Sequence, residues 1–236
     1  MLEGPLTLGG LDILQGDNPT RRPREQPQLT PSRGCSFCAK FGALMSSSTS
    51  AFYDTPLFQN ELFVIVPTLG SFVPGYLLLV PRQHTLNFAA LRPGHLHAAE
   101  LLLESTLRRA TSIWGDCIVF EHGPCAADQN HACIDHAHWH IVPSAADIES
   151  YLHPRIIFAE LPRLDEGLEN AMWGDQSYLL IKQRGHWLLA ESQAPPTQFI
   201  RRVLCQLMHL GDVWNWRCHP FYNNIMETYS GWFGAR

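Results

Sequence analysis

The sequence predicts an α+β fold built around an antiparallel sheet, and two observations indicate it. Four short apolar segments, at 62–67, 76–80, 117–121 and about 136–142, have the length and the branched or aromatic composition of strands. A single long amphipathic segment, 93–113, separates the second strand from the third. The order strand, strand, helix, strand, strand describes a meander, whereas a doubly wound parallel sheet would alternate strands with helices.

Turn and cap residues support these elements in chain order. The first strand ends at a proline, and a turn containing Gly70 and Gly75 leads to the second strand. The helix opens at Pro93 and ends at Gly115. Its apolar positions recur at a spacing of three to four residues, as an amphipathic helix requires: Leu96, Ala99, Leu103, Leu107 and Ala110.

The chain divides into three predicted parts. Residues 1–34 are rich in Pro, Gly, Arg and Gln without apolar periodicity, and we interpret them as a flexible leader. Residues 35–150 hold the meander. Residues 151–236 are predicted to be an α+β extension that packs on it: a hairpin around Arg184-Gly185, a helix after Pro195-Pro196 and a last helix at 221–230.

Composition excludes some classes of function. The chain has 236 residues, 45% of them hydrophobic, and a net charge of −5, so no basic surface favours nucleic-acid binding. No apolar run is long enough for a membrane span, and the N-terminus lacks the pattern of a secretory signal. Seven cysteines without an export signal favour reduced thiols and a cytoplasmic location.

The most informative stretch is His136-Ala-His138-Trp-His140-Ile-Val-Pro. On a strand these three histidines share one face, while Ala137 and Trp139 turn towards a core. Exposed edge-strand histidines are the plain alternative. A three-histidine metal site is another, although positions i and i+4 lie ~13 Å apart on a strand. A third is an oriented histidine that acts as a nucleophile or as an acid-base group.

A second candidate site is the pair Cys35-Ser-Phe-Cys38. A CxxC pair alone fits a redox motif, a metal site or an incidental spacing. A redox pair normally follows a strand, and the preceding stretch contains none, which favours a metal. Two thiolates need two further ligands to close a tetrahedral zinc site.

The histidine stretch resembles the signature of the histidine triad family of nucleotide hydrolases and transferases. The resemblance extends to Gly75-Tyr-Leu-Leu-Leu-Val-Pro-Arg-Gln-His84 and the helix after it, and it covers about residues 35–145. It implies that His138 attacks the α-phosphorus of a small nucleotide and that His140 orients and polarises the site. One branch of transferases has glutamine at the position of His140, so the resemblance favours a hydrolase that releases a nucleoside monophosphate.

The resemblance also implies a structural zinc. Several members of that family have a CxxC pair near the start of the domain, a histidine after the second strand and the first histidine of the triad as ligands. The corresponding residues of this chain are Cys35, Cys38, His84 and His136. A homodimer is expected from the resemblance alone.

Further residues are predicted to contact the substrate. Family members often have Ser or Thr at the position of Cys133, where the thiol is a weaker donor. Asn130 and His131 in the same loop could reach a phosphate. Two alternatives stay open: a nucleotide-binding module without turnover, and a mononuclear metal hydrolase that uses all three histidines as ligands.

The extension and the first strand supply the last candidates. Gln198 and Arg202, with Arg201 between them, lie at the start of a predicted helix, where cations and helix N-termini suit anions. A solvated helix face is the alternative. Phe63 and Ile65 on the first strand are candidates for contact with the base.

Overall fold

The structure is a computed structural model of the 236-residue chain. It describes residues 34–41, 51–124, 134–173, 177–191 and 198–234. The predicted leader lies outside the described residues except for Gly34. Most of the predicted loop between 123 and 135 also lies outside them.

Eight strands form one sheet. In chain order they are β1 Phe58–Gln59, β2 Phe63–Pro67, β3 Leu77–Pro81, β4 Cys117–Gly123, β5 Trp139–Pro143, β6 Ala159–Leu161, β7 Tyr178–Gln183 and β8 His186–Glu191. Six α-helices lie in the part of the chain that the structure describes: α1 Ser36–Phe41, α2 Pro93–Trp114, α3 Ile148–Leu152, α4 Leu164–Trp173, α5 Phe199–Leu207 and α6 Tyr222–Gly234.

The sheet is antiparallel throughout, with strand order β1-β2-β3-β5-β4-β7-β8-β6. Strand β5 therefore lies between β3 and β4. His140 on β5 pairs with Leu78 of β3 on one side and with Phe120 of β4 on the other. The predicted α+β class with an antiparallel sheet is confirmed, and the histidine segment enters the sheet at its centre.

Two apolar layers cover the two faces of the sheet. The α2 face carries the alternate strand residues Phe63, Ile65, Leu79, Trp139 and Leu180, which pack against Leu96, Ala99 and Leu103 of α2. The α5 face carries Val64, Leu78, Phe120, Val142 and Ile181, which pack against helices α1, α3 and α5. Because side chains along a strand point alternately to the two faces of the sheet, neighbouring residues of each strand lie in different layers.

The predicted strands and helices agree closely with the structure apart from the start of the fourth strand, whereas β1, β6, α1, α3 and α4 were not predicted. The long helix runs Pro93–Trp114 and is capped by Gly115, as expected. The fourth strand, however, begins at Trp139, so His136 and His138 precede it and only His140 lies within it. Residues 136 and 137 leave the ladder because the amide of Ala137 donates to the carbonyl of Thr85, 2.6 Å away, instead of to a neighbouring strand.

The hairpin of the extension joins the same sheet. Strand β7 pairs with β4 over Val119 to Gly123, and β8 pairs with β7. The predicted turn is present, with Arg184 and Gly185 at φ values of 51° and 86°. Two consecutive left-handed residues match the right-handed twist of the strands that they join. The division of the chain at residue 150 stays a prediction.

None of the described helices combines the length and the apolar character that crossing a bilayer would demand. Helix α2, with 22 residues, is the longest of them and buries only one side against the sheet. Its fully or nearly buried positions include four of the five predicted ones, with Thr106 buried and Leu107 only partly so.

Candidate active site and metal centre

A group of four potential metal ligands forms where the N-terminal part of the described chain meets the histidine segment. Cys35 lies just before helix α1 and Cys38 within it, His84 follows β3 and His136 precedes β5. One ligand atom from each of the four lies within 4.8 Å of the others, so the group could hold a metal ion. The structure thus brings together all four residues of the predicted cluster.

The distances within this cluster are short and even. Cys38 Sγ lies 3.2 Å from His84 Nδ1 and 3.6 Å from His136 Nδ1. Cys35 Sγ lies 3.5 Å from His136 Nδ1. The Nδ1 atoms of His84 and His136 are 3.3 Å apart. The two imidazoles and the two sulfurs therefore converge on one point.

The protonation of His136 is fixed by its second nitrogen. Nε2 lies 2.7 Å from the carbonyl oxygen of Pro81, which can only accept, so Nε2 carries the proton and Nδ1 offers a lone pair to the cluster. Burial lowers the pKa of His136 to about 4 and also lowers that of His84. Both rings are therefore neutral near pH 7, the form in which imidazole binds metals.

His138 is not one of the four residues of this cluster, and its tautomer is equally well defined. Its Nδ1 lies 2.7 Å from the carbonyl oxygen of His136 and must donate to it. Its Nε2 is therefore the nitrogen with the free lone pair. Burial lowers the pKa of His138 below its ordinary value, while the hydrogen bond to His136 acts in the opposite direction. His138 is thus a neutral imidazole with one nitrogen able to attack.

His140 belongs to a chain of hydrogen bonds that reaches helix α5. Its Nδ1 lies 2.7 Å from the hydroxyl of Tyr76, which precedes β3. The same hydroxyl accepts from the guanidinium of Arg201 on α5, 2.8 Å away. Burial holds the pKa of His140 well below its usual range, and the charge of Arg201 contributes to this shift.

Aromatic side chains hold both imidazoles in place. The ring of Phe120 stacks on His140 with a centroid distance of 4.3 Å and an interplanar angle of 12°. Phe37, which lies between the two cysteines in sequence, meets both His136 and His138 edge-on at 5.7 and 5.5 Å. The segment from Cys35 to Cys38 therefore contributes a side chain that packs directly against His138.

Three residues at this site were missing from the predicted set or had no assigned role. Arg201 and Tyr76 form the hydrogen-bond chain to His140 described above. His122 on β4 lies two residues beyond Phe120 on the same face, and its charge interacts with His138 and His140. Period-two alternation from Phe120, which pairs with His140, was the sequence signal that could have identified His122.

Two buried polar atoms near these residues have no hydrogen-bond partner within the described parts of the chain. They are Nε2 of His122 and Nε2 of Gln198. Gln198 is 5% exposed and adopts the left-handed conformation at the start of α5. Because buried polar atoms are rarely left unpaired, both positions suit contact with a ligand.

The remaining predicted substrate contacts have different outcomes. Arg202 is exposed and lies over the ring of Trp214, 3.6 Å from its centroid, while Arg201 points to the histidines. Asn130, His131 and Cys133 lie outside the described residues.

The two residues suggested for base contact lie on the wrong side of the sheet. Phe63 and Ile65 are 1% and 0% exposed in the core of the α2 face, whereas His138 and His140 lie on the other face. That suggestion was wrong because the alternation along β2 directs both side chains towards α2.

Searches against known proteins gave partial likenesses only. No family model matches the chain. No curated protein matches it either. Among solved structures, a Zn-bound histidine triad family protein from Mycobacterium smegmatis is 18% identical with a TM-score of 0.37, over 60% of this chain and 93% of that one.

Two further structures are similarly distant. Yeast Ap4A phosphorylase in complex with AMP is 18% identical with a TM-score of 0.33, over 60% of this chain and 61% of that one. A Hit-like protein involved in cell-cycle regulation from Bartonella henselae is 15% identical with a TM-score of 0.32, over 37% and 64%. The chain thus spans less than two thirds of both. These likenesses are too weak to support a functional conclusion.

Proposed function

We propose that the chain is a nucleotide phosphoanhydride or phosphoramidate hydrolase that works through a nucleotidyl intermediate on His138. The observation that carries the proposal is the tautomer of this residue. The Nδ1–H of His138 donates to the carbonyl of His136, so Nε2 of His138 carries the lone pair at neutral pH. A nucleophilic histidine needs this arrangement, and a histidine that only packs in a core does not.

The charge around His138 supports an anionic substrate. Arg201 is 4% exposed and positively charged, while burial lowers the pKa values of His138, His140 and His122. The described side chains near His138 therefore combine neutral imidazoles with one guanidinium. A phosphate can be positioned by such a site and stabilised there as charge develops on its oxygens.

The reaction follows in two balanced steps. His138 Nε2 attacks the α-phosphorus, a P–N bond forms, and the bond from phosphorus to the leaving group breaks as a proton from solvent passes to the leaving group. Water then attacks the same phosphorus, the P–N bond breaks, the water returns one proton to solvent, and a nucleoside monophosphate leaves while His138 recovers its neutral form. A phosphate acceptor in place of water would give transfer instead of hydrolysis, and we favour hydrolysis.

Zinc is the metal that the cysteine-histidine cluster fits best. Two thiolates and two imidazoles are a common closed donor set for this ion, and neighbouring ligand atoms around tetrahedral zinc lie roughly 3.3 to 3.8 Å apart. The cluster has S–N separations of 3.2, 3.5 and 3.6 Å and an N–N separation of 3.3 Å. With four protein ligands the metal keeps no open position, so its role is structural.

The metal would connect the segment from Cys35 to Cys38 to the proposed nucleophile, His138. Bound to His136 and Cys35, it would fix the carbonyl of His136, which orients His138, and the ring of Phe37, which packs against His138. Reduced thiols suit this role, so a cytoplasmic location is part of the proposal. The homodimer expected from the motif stays a prediction that sedimentation can test.

The experiment is a panel assay with covalent trapping. Wild type, His138→Asn and the control His97→Asn, an exposed histidine on α2, would be mixed with nucleotide phosphoanhydrides and phosphoramidates of several bases. We expect monophosphate release and a nucleotidyl mass increase on the peptide containing His138, in wild type and His97→Asn only. Turnover that survives in His138→Asn would contradict the proposal. Binding without turnover in wild type would instead favour a nucleotide-binding module.

A further inference from the structure

The hydrogen bonds around Tyr76 have a single consistent direction. A guanidinium can only donate, so the Tyr76 hydroxyl accepts from Arg201 and has one proton left to donate. The remaining partner is Nδ1 of His140, 2.7 Å away. Among the described residues the hydroxyl proton has no other acceptor, so we assign Nδ1 as the acceptor and place the proton of the neutral ring on Nε2.

The protonation of the phenol supports this direction. Tyr76 is 0% exposed, and burial raises the pKa of its hydroxyl, although Arg201 acts in the opposite direction. The hydroxyl therefore keeps its proton and remains a donor. A phenol that accepts from a cation is polarised, which strengthens the hydrogen bond that it donates.

The position of Arg201 is fixed by backbone and aromatic groups. Its guanidinium donates to the carbonyls of Gly70 at 2.6 Å and Trp214 at 2.9 Å, and it lies over the rings of Phe72 and Tyr76. Among the described residues no carboxylate lies within ion-pair distance of it. The positive charge is thus available to polarise Tyr76 without being neutralised by a neighbouring side chain.

We propose that Arg201 and Tyr76 are positioning residues that hold His140 as an Nε2–H donor to the phosphate or the leaving group at His138. We call the hydrogen-bond chain from Arg201 through Tyr76 to His140 the relay. The proposal rests on the proposed function and deepens it. With this role for Arg201, helix α5, which belongs to the predicted extension after residue 150, becomes part of the active site. The stacked ring of Phe120 fixes the plane of His140, and Tyr76 fixes which of its nitrogens carries the proton.

The first test measures the tautomer directly and needs no activity. Long-range ¹H–¹⁵N spectra distinguish a ring nitrogen that carries a proton from one that carries a lone pair. In wild type we expect His140 to show a protonated Nε2 and an unprotonated Nδ1. In Tyr76→Phe this preference should be lost. A wild-type ring with its proton on Nδ1, or an unchanged spectrum in Tyr76→Phe, would overturn the relay.

The second test uses steady-state kinetics. Tyr76→Phe keeps the ring but removes the hydroxyl, and we expect kcat to fall by about tenfold or more, with KM changed by less than about twofold. In a His140→Asn background the same change should have little further effect, because the two residues act as a unit. Independent, multiplicative effects of the two changes would contradict the relay.

Matched variants separate positioning from general loss of stability. Tyr178→Phe removes the hydroxyl of another fully buried tyrosine, on the α2 face, and should leave kcat unchanged while the protein is folded. Arg201→Lys keeps the charge, so it should retain more of kcat than Arg201→Met. An equal loss in the two Arg201 variants, at equal thermal stability, would contradict the role of the charge.

The two proposals can fail separately. If wild type releases no monophosphate but the spectra show the Nε2–H tautomer and its loss in Tyr76→Phe, the relay holds and the proposed function is wrong. If wild type is active but His140 carries its proton on Nδ1, the proposed function holds and the relay is wrong.

Discussion

Glu121 and His122 are neighbours on β4 whose side chains point to opposite faces of the sheet. Both are polar groups shielded from water, yet their surroundings differ. The two carboxyl oxygens of Glu121 accept from the amide of Phe88, from Tyr178 and from Trp139, at 2.8, 2.8 and 3.2 Å. Nε2 of His122 has no partner among the described residues.

This difference indicates which buried polar groups stabilise the fold and which are available to bind a ligand. A buried group with all its partners supplied by the protein stabilises the fold that it belongs to, whereas a buried group without a partner costs free energy until something binds it. Glu121 on the α2 face follows the first pattern. Nε2 of His122 and Nε2 of Gln198 follow the second, since neither has a partner among the described residues. Polar groups of the first kind should therefore affect stability, and those of the second kind ligand binding.

The largest effect on stability is expected at the cysteine-histidine cluster. Cys38→Ser removes one of the four proposed metal ligands, and loss of a structural metal typically destabilises a domain by several kcal/mol. We expect the free energy of unfolding to fall by on the order of 4 kcal/mol, with metal lost from the protein. Denaturant unfolding with elemental analysis measures both. Cys117→Ser, a free cysteine on β4 outside the cluster, is the control and should change neither.

The next effect concerns Glu121. In Glu121→Gln an NH₂ group, which cannot accept, replaces one of the two oxygens that accept from Phe88, Tyr178 and Trp139, so at least one buried hydrogen bond is lost whether or not the wild-type group is protonated. We expect a loss of about 3 kcal/mol of unfolding free energy at pH 5. Turnover measured well below the melting temperature should be unchanged, because Glu121 faces away from the histidines. A large loss of kcat in a folded variant would contradict the separation of the two faces.

The pH dependence of stability gives an effect of similar size at the same residue. Burial raises the pKa of Glu121 to about 7 from an ordinary value of 4.5. Between these values the unfolded chain releases the proton and the folded chain keeps it. The stabilisation is therefore complete below about pH 4.5 and is lost as the pH rises through about 7.

The measurement compares wild type with Glu121→Gln across this range. The difference in unfolding free energy between them should narrow by about 3 kcal/mol between pH 4.5 and pH 8. A gap that widens with pH would mean that the three donors lower the pKa of Glu121 by more than burial raises it.

The smallest expected effect on stability belongs to His122. Replacing it by Phe removes an unpaired buried nitrogen, so we expect the unfolding free energy to stay the same or to rise by about 1 kcal/mol. Affinity for the nucleotide should fall by about tenfold if Nε2 binds it, as titration calorimetry can measure. Destabilisation together with unchanged affinity would show that His122 belongs with Glu121 and not with the site.

Local patterns in the sequence predicted much of this architecture. Short apolar runs bounded by turn residues identified β2, β3 and β4, and the spacing of Leu96 to Ala110 identified α2, because these elements have one clear apolar pattern each. The start of β5 at Trp139 could not be predicted, since the contact of Ala137 with Thr85 that ends the ladder joins distant parts of the chain.

The candidate site could also be predicted only in part, because contacts between distant parts of the chain leave no local pattern. The cluster of Cys35, Cys38, His84 and His136 was expected from the resemblance of the sequence to the histidine triad family. The contact between Tyr76 and Arg201 did not, because 125 residues separate them and neither belongs to a motif with the other. Choosing Arg201 over Arg202 as the arginine of the site required the orientation of α5 on the sheet, which helical periodicity alone did not supply.

The measurement that tests the central claim most directly is the metal content and turnover of His138→Asn beside wild type. His138 lies outside the metal cluster, with its Nδ1 bound to the carbonyl of His136. The variant should keep the wild-type metal content while monophosphate release falls by about 10³-fold or more. Metal lost together with activity would place His138 among the metal ligands and contradict the separation of a structural metal from a nucleophilic histidine.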